Sequence, residues 1–280
     1  MSHALRITGA TRLYAIIGDP IEQVRSPETF SERFAAAGID AVLVPAHVPA
    51  RAFDAIVPAL LKVSNLDGVL VTIPFKARMV TFAERLGATA KTVGAVNALR
   101  READGSWSGD MFDGIGFVRG AERKGERIRD RRVALFGAGG AGSAIACALA
   151  DAGVRSIDII DTDAPKAKAL VEKLKRTFPQ CELAAVSGMP ANVDTVVNAS
   201  PIGMRPDDGL PGEIGPLHPD TLVGDVVITV TPTPLIRHAV QSGCRWVDGR
   251  DMHGGQADAI TAFFASASRA ASAERVPPSH

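Results

Sequence analysis

Cysteine is scarce in this sequence: Cys147, Cys181 and Cys244 are the only three in 280 residues. Three widely spaced thiols make neither a disulfide framework nor a metal-ligand spacing, so a small stapled domain and a zinc module are both excluded. No apolar run nears the roughly 20 residues that a bilayer span needs. The opening "MSHALRITGATR" lacks the apolar core of a secretory signal. Excess charge is absent as well, because 31 Lys and Arg balance 31 Asp and Glu. Such a chain has no global pull towards nucleic acid or an anionic membrane. Its one basic cluster, "RKGERIRDRR" at 123–132, is interrupted by acids and reads as a solvated connector. These absences point to the reducing cytoplasm.

What is present is ordinary for a globular protein: 46% hydrophobic and 22% charged residues, in a chain long enough for one large domain or two modest ones. Strand and helix patterns alternate throughout, which predicts an α/β architecture. "LYAII" (13–17) reads as a strand. "SPETFSERFAAAG" reads as a helix with Ser26 as cap, Pro27 at its first position and Gly38 as its stop. Strands at 41–44 and 68–73 follow, with helices over 51–61 and 75–86. From Arg131 a second unit begins. Its strands fall in "VALF", "SIDIID", "DTVVNAS", "TLVGDVV" and "CRWVDG", and a helix runs from about Gln256 to Ala271. The closing "SAERVPPSH" is expected to fray.

Gly137-Ala138-Gly139-Gly140-Ala141-Gly142 fits G-x-G-x-x-G between a strand and a helix. The first glycine allows a tight turn, the second lets a pyrophosphate approach the backbone at the helix N-terminus, and the third permits close packing. The next strand ends in an acid, Asp161, as a dinucleotide site requires. A carboxylate there accepts from a ribose 2′-hydroxyl and repels a 2′-phosphate, which favours NAD over NADP. The other reading of the glycines is a plain βαβ turn.

Hydride loss from an alcohol requires a group that takes the hydroxyl proton. Neither a reactive cysteine nor a metal cluster is evident. The polar residues left unexplained are Lys76, which follows the apolar run "VLVTIP", and Asp113 in "SGDMFDGIGF". A lysine near a carboxylate can pass that proton while the carboxylate fixes the substrate oxygen. Lys76 also reads as the first turn of a helix, and Asp113 as a helix N-cap.

The ordered segments "IIGDPIEQVRSP", "VTIPFK", "VGAVNAL", "GDMFDGIGF", "FGAGGAG", "NASPIGM" and "VDGRDMHGGQA" resemble the signatures of the shikimate/quinate dehydrogenase family over nearly the whole chain. The resemblance implies an N-terminal α/β substrate domain (1–112), rejoined by a C-terminal helix (253–280). It implies a Rossmann-type NAD(P)-binding domain (113–252), with a cleft between the two. The implied activity is reversible oxidation of a ring hydroxyl of shikimate or quinate, a small-molecule partner, by a monomer or homodimer. By motif, Lys76 resembles the family's catalytic lysine and Asp113 its partner aspartate. Ser26, Thr72, Asn97 and Gln256 match residues that bind the substrate's carboxylate or hydroxyls. Ala199, Ser200, Val226 and Gly249 match positions that line the cofactor.

The chain also departs from the family. Val24-Arg25-Ser26-Pro27 stands where S-x-S-P is common, and Asp110-Met111-Phe112-Asp113-Gly114 where D-N-T-D-G is common. Ile228 falls where the family has a carboxylate-holding tyrosine. Losing one hydrogen bond to a charged group costs roughly 1.5–3 kcal/mol. The departures therefore describe a divergent member with its catalytic pair retained and its substrate pocket altered. Arg25 is a candidate replacement cation, or a surface arginine at a helix start, and His253 is a candidate to reach the substrate. Two other classes stay open: a non-catalytic nucleotide-binding regulator, and another two-domain NAD(P) enzyme such as a methylene-tetrahydrofolate dehydrogenase.

Overall fold

The structure, a computed structural model, describes residues 7–273. The chain divides into two compact units. One takes the chain as far as Met111 and again from Ala257; the other is Phe112–Gln256. The closing "ERVPPSH", for which fraying is expected, lies outside the described residues. Among the described residues no helix is long and apolar enough to cross a membrane.

The first unit runs β1 (Arg12–Gly18), α1 (Ser26–Ala36), β2 (Ala41–His47), α2 (Phe53–Leu60), β3 (Leu66–Val71), β4 (Arg85–Leu86), α3 (Ala88–Val93), β5 (Ala98–Arg101) and β6 (Trp107–Asp110). Its sheet has the order β2-β1-β3-β5-β6-β4. β1 pairs parallel with β2 and β3, and β5 antiparallel with β3 and β6. Pro45 is tolerated because β2 is an edge strand, where a missing N–H breaks no ladder. The chain's few aromatics concentrate here: Tyr14 lies 4.6 Å from Phe34 and 4.9 Å from Phe264 between ring centroids. Gly68 makes room for them, since a Cβ there would come within 2.8 Å of both Tyr14 and Phe264.

Two local expectations fail in this unit. The segment 75–86 is not a helix but a turn, a short 3-10 turn at Arg78–Phe82, and then β4. Glu84 N donates to Trp107 O at 2.8 Å and Gly87 N to Gly109 O at 2.9 Å, so strand pairing takes residues that helix propensity would have claimed. Ser26 is not a cap: it is the first residue inside α1, Arg25 holds the cap position, and no side chain caps the helix.

The second unit runs α4 (Asp113–Arg123), β7 (Arg132–Phe136), α5 (Gly140–Asp151), β8 (Ser156–Ile160), α6 (Ala164–Thr177), β9 (Glu182–Ala185), β10 (Thr195–Asn198), β11 (Leu222–Asp225), α7 (Pro234–Gln241) and β12 (Arg245–Val247). α8 (Gly249–Ala273) starts in this unit and continues in the first. All six strands are parallel, in the order β12-β11-β10-β7-β8-β9. This is the doubly wound dinucleotide-binding order, with its switch point between β7 and β10. The central strands are buried on both faces, which is why they read as continuous apolar runs.

Glycines set the packing of α4. A Cβ on Gly114 would lie 2.0 Å from Ala144 O of α5, and one on Gly255 of α8 would lie 2.1 Å from Gly116 O. Only bare backbone permits helices to approach so closely. The connector at 123–132 is not wholly solvated: Glu126 is buried and paired with Arg131 at 3.3 Å and Arg245 at 3.0 Å.

Candidate active site

In the first unit the residues expected to bind substrate gather at the carboxyl ends of the parallel strands, the edge where α/β sheets bind ligands. Thr72 follows β3 and donates its backbone N–H to Ile17 O of β1 at 3.0 Å. Its methyl fills the space beside Gly18, where a Cβ would lie 2.3 Å from Thr72 Cγ2. Pro74 then turns the chain, and the Lys76 carbonyl accepts from Val96 N at 2.9 Å. That bond draws the turn against Asn97, whose own carbonyl accepts from Val71 N at 2.8 Å. Asn97 is buried and Lys76 half-buried. Thus Thr72, Lys76 and Asn97 are brought to one edge. The loop after β1 is tied to the same turn, because Asp19 N donates to Ile73 O at 2.9 Å. That loop leads to Ser26, buried at the start of α1.

Sequence reasoning missed two residues at this edge. Asp19 Oδ1 lies 2.9 Å from His47 Nε2, and Asp19 Oδ2 accepts from Ala50 N at 2.9 Å. The His47 contact, helped by Ala50, holds the Asp19 carboxyl below its ordinary range. Arg25 is exposed and lies 3.7 Å from Glu28, the geometry of a surface arginine at a helix start. Met111 is part of the core at 2% exposure, so its departure from the family pattern alters packing and not a ligand surface. Val24, Phe112 and Ile228 are half-buried.

In the second unit Asp113 opens α4 and is buried, and α4 has no side-chain cap. Reading Asp113 as the N-cap is therefore incorrect. Gln256 packs on the same helical turn: a Cβ on Gly116 would lie 2.7 Å from Gln256 Cβ. His253 Nδ1 lies 3.5 Å from Gln256 Nε2.

The expected cofactor residues all fall at the carboxyl edge of the parallel sheet. Gly137 turns off β7 with φ +102, and a Cβ there would come within 2.8 Å of the Ala199 carbonyl that follows β10. A Cβ on Gly142 would sit 1.9 Å from Gly137 O. Both glycines are thus required by the protein itself. Gly139 differs: nothing of the protein comes nearer to its Cβ position than Lys166 Nζ at 3.9 Å. Together with Gly140 and Ala141 it forms the start of α5, where the first N–H groups lack intrahelical acceptors. An open, side-chain-free cradle at a helix N-terminus fits a dinucleotide pyrophosphate.

Asp161 Oδ2 accepts from Ala138 N at 2.7 Å, and its Oδ1 from Asp163 N at 2.9 Å. Lys166 Nζ lies 3.9 Å from that carboxylate. Ser200 and Val226 continue from β10 and β11. Gly249 lies against the latter loop, with a Cβ position 2.6 Å from both Val226 O and Ile228 Cγ1.

Beneath these loops lies a buried polar group that sequence reasoning did not find. Asp225 accepts from Thr233 Oγ1 at 2.7 Å, and from Val227 N and Asn198 Nδ2 at 3.0 Å each. Burial nevertheless pushes its carboxyl up to about 6 against those bonds, and Asp248 adds to the push. The signal available in the sequence was a pair of polar residues, Asn198 and Asp225, each closing an apolar strand.

A carboxyl whose pKa rises from 3.8 to about 6 on folding binds protons more tightly when folded. Its stabilisation is complete below about 4 and is lost as pH rises through about 6. Relative to Asp225→Asn, which does not titrate, the wild type should lose on the order of 2–3 kcal/mol between pH 4 and 7. Urea melts of both proteins across that range measure the difference, and a constant gap would refute it.

A doubly wound nucleotide-binding sheet joined to a smaller mixed α/β unit defines a two-unit dinucleotide-dependent protein. Comparison with known proteins places it further. The model of the shikimate dehydrogenase substrate binding domain matches residues 16–99, and that of the ThiF family matches residues 115–171. The shikimate dehydrogenase (NADP(+)) of Rubrobacter xylanophilus is 35% identical over 251 residues, 88% of each chain. The crystal structure of shikimate 5-dehydrogenase from Listeria monocytogenes, in complex with shikimate and NAD, superposes with a TM-score of 0.83 at 29% identity, covering 94% of each chain. A ligand-free 5-ketofructose reductase of Gluconobacter sp. strain CHM43 superposes with a TM-score of 0.78 at 27% identity, covering 92% of this chain and 94% of that one. The chain belongs to the shikimate dehydrogenase family and is an NAD(P)-dependent oxidoreductase.

Proposed function

We propose that this chain catalyses reversible hydride transfer between NAD and a ring hydroxyl of shikimate, quinate or a close cyclitol-acid analogue; for shikimate the product is 3-dehydroshikimate. The observation that carries this reading is the match to curated shikimate dehydrogenases over 88% of the chain, with Lys76 and Asp113 kept in their motifs. That match does not favour the non-catalytic regulator.

A bound nicotinamide supplies the hydride acceptor. The rest falls to the chain's own residues. Lys76 takes the hydroxyl proton as the alcohol is oxidised and returns it in the reverse direction. Asp113 accepts from the substrate beside that oxygen and so fixes its position, leaving the single proton of the reacting hydroxyl to Lys76. Ser26, Thr72, Asn97 and Gln256 hydrogen-bond the remaining hydroxyls and the carboxylate. Gly137–Gly142 cradle the pyrophosphate, Asp161 accepts from the adenosine ribose, and Ala199, Ser200, Val226 and Gly249 line the cofactor.

NAD is favoured over NADP because the segment from Asp161 to Lys166 carries two acids and no arginine. A 2′-phosphate would meet the Asp161 charge. Val24 and Ile228 remove two hydrogen-bonding groups from the expected carboxylate site. At roughly 1.5–3 kcal/mol each, their loss weakens a carboxylate ligand by orders of magnitude. The similarity to a reductase named for a keto sugar supports a pocket tolerant of other polyols.

The test is formation of reduced nucleotide from shikimate, quinate and a panel of neutral polyols, with NAD⁺ and NADP⁺ in parallel. Expected is turnover with kcat/KM at least about ten-fold higher for NAD⁺, the order of effect set by one charge–charge contact. A preference for NADP⁺ would refute the Asp161 reading. Shikimate outperforming every analogue would refute the altered pocket, and nucleotide binding without any turnover would support the regulator.

A further inference from the structure

Two polar side chains, Asn198 and Asp225, organise both loops that follow the central strands on one side of the switch point. Asn198 is 0% exposed and Asp225 1%, so their hydrogen bonds are made out of reach of water. Asn198 Oδ1 accepts from Ser200 N at 3.0 Å and Ser200 Oγ at 2.7 Å, while its Nδ2 donates to Ile202 O at 2.9 Å. These contacts shape the loop after β10. The same Nδ2 donates to Asp225, whose carboxylate takes Val227 N and Thr233 Oγ1 and so shapes the loop between β11 and α7. Thr233 Oγ1 in turn caps α7 by accepting from Ile236 N at 3.2 Å.

We propose that Asp225 is a positioning residue for the nicotinamide nucleotide: by joining Asn198 to Thr233, it sets the two loops that carry Ser200 and Val226. The proposal rests on the cofactor roles given above to Ser200 and Val226. Stability alone does not account for the residue. At neutral pH the carboxyl, with its pKa of about 6, is charged in a site whose burial disfavours that charge. What the charge provides is an acceptor for three donors on both loops at once, which an apolar side chain would leave unpaired. The outer residues of the second loop are held from its exposed side: Thr229 Oγ1 donates to Thr231 O, Thr229 O accepts from Arg250 Nη2 at 3.0 Å, and Val230 is 88% exposed.

The test uses the full chain as wild type, Asp225→Ala, Thr233→Val and Thr233→Ser. NADH affinity is measured by fluorescence titration, thermal unfolding gives stability, and Michaelis constants are determined for nucleotide and cyclitol acid separately. Expected is a ten-fold or greater loss of NADH affinity in Asp225→Ala and a smaller loss in Thr233→Val. Thr233→Ser, which keeps the hydroxyl, should recover the affinity. The Michaelis constant for nucleotide should rise while that for the cyclitol acid moves less than two-fold; a purely structural role would not separate them. A folded Asp225→Ala that binds NADH as the wild type does would overturn the proposal alone. If Asp225→Ala does not fold, wild-type affinity in Thr233→Val has the same consequence. Failure of the wild type to bind either nucleotide would instead overturn the proposed function, and this proposal with it.

Discussion

Replacing Lys76 with alanine should lower kcat by about 10²–10⁴, the range that a positioned acid–base group contributes, while NAD affinity stays near that of the wild type. The variant keeps the backbone contact that places the residue, because it is the Lys76 carbonyl that accepts from Val96 N. What is lost is the side chain beyond Cβ, with the ammonium at its end. Arginine at 76 should not restore activity, since a guanidinium does not give up its proton in a protein. Steady-state kinetics beside nucleotide titration measure both quantities. A Lys76→Ala enzyme retaining kcat within ten-fold of wild type would remove the lysine from the proton step.

The second large effect separates two glycines of one loop. Alanine at Gly142 would drive a Cβ to 1.9 Å from Gly137 O. Backbone must move to relieve it, so stability should fall by about 1–3 kcal/mol or more and nucleotide binding with it. Alanine at Gly139 meets nothing of the protein within 3.9 Å, so its melting temperature should match the wild type. Its nucleotide affinity should nevertheless fall steeply, because the added methyl would stand in the proposed pyrophosphate cradle. Thermal melts with and without NADH measure both. If Gly139→Ala binds NADH normally, the cradle lies elsewhere.

Much of the molecule was legible before its structure was known, and the failures are as physical as the successes. The central parallel strands were readable because burial on both faces makes them continuous apolar runs, whereas β9, a partly exposed edge strand, was not. The glycine turn was readable because a strand, three spaced glycines and a helix occur in immediate succession. The β5–β6 pair was not readable. Arg100, Arg101, Glu102 and Asp104 make that stretch look like loop, and the strands exist because β5 pairs with β3. The helix expected over 75–86 failed for the same reason, since β6 captures its last residues, Glu84 to Leu86. Asn198, Asp225 and Thr233 passed unnoticed because a single polar residue at a strand end has many ordinary explanations.

Those misses share one cause. A turn, a strand or a helix start depends on residues within a few positions of one another, and side-chain chemistry at that range is written directly in the sequence. Pairing Asn198 with both Phe136 and Asp225 depends on which distant segments lie side by side. Strand order alone brings the loops after β7, β10 and β11 to one edge. There, a turn glycine, a buried amide and a buried carboxylate from three separate stretches of chain come together.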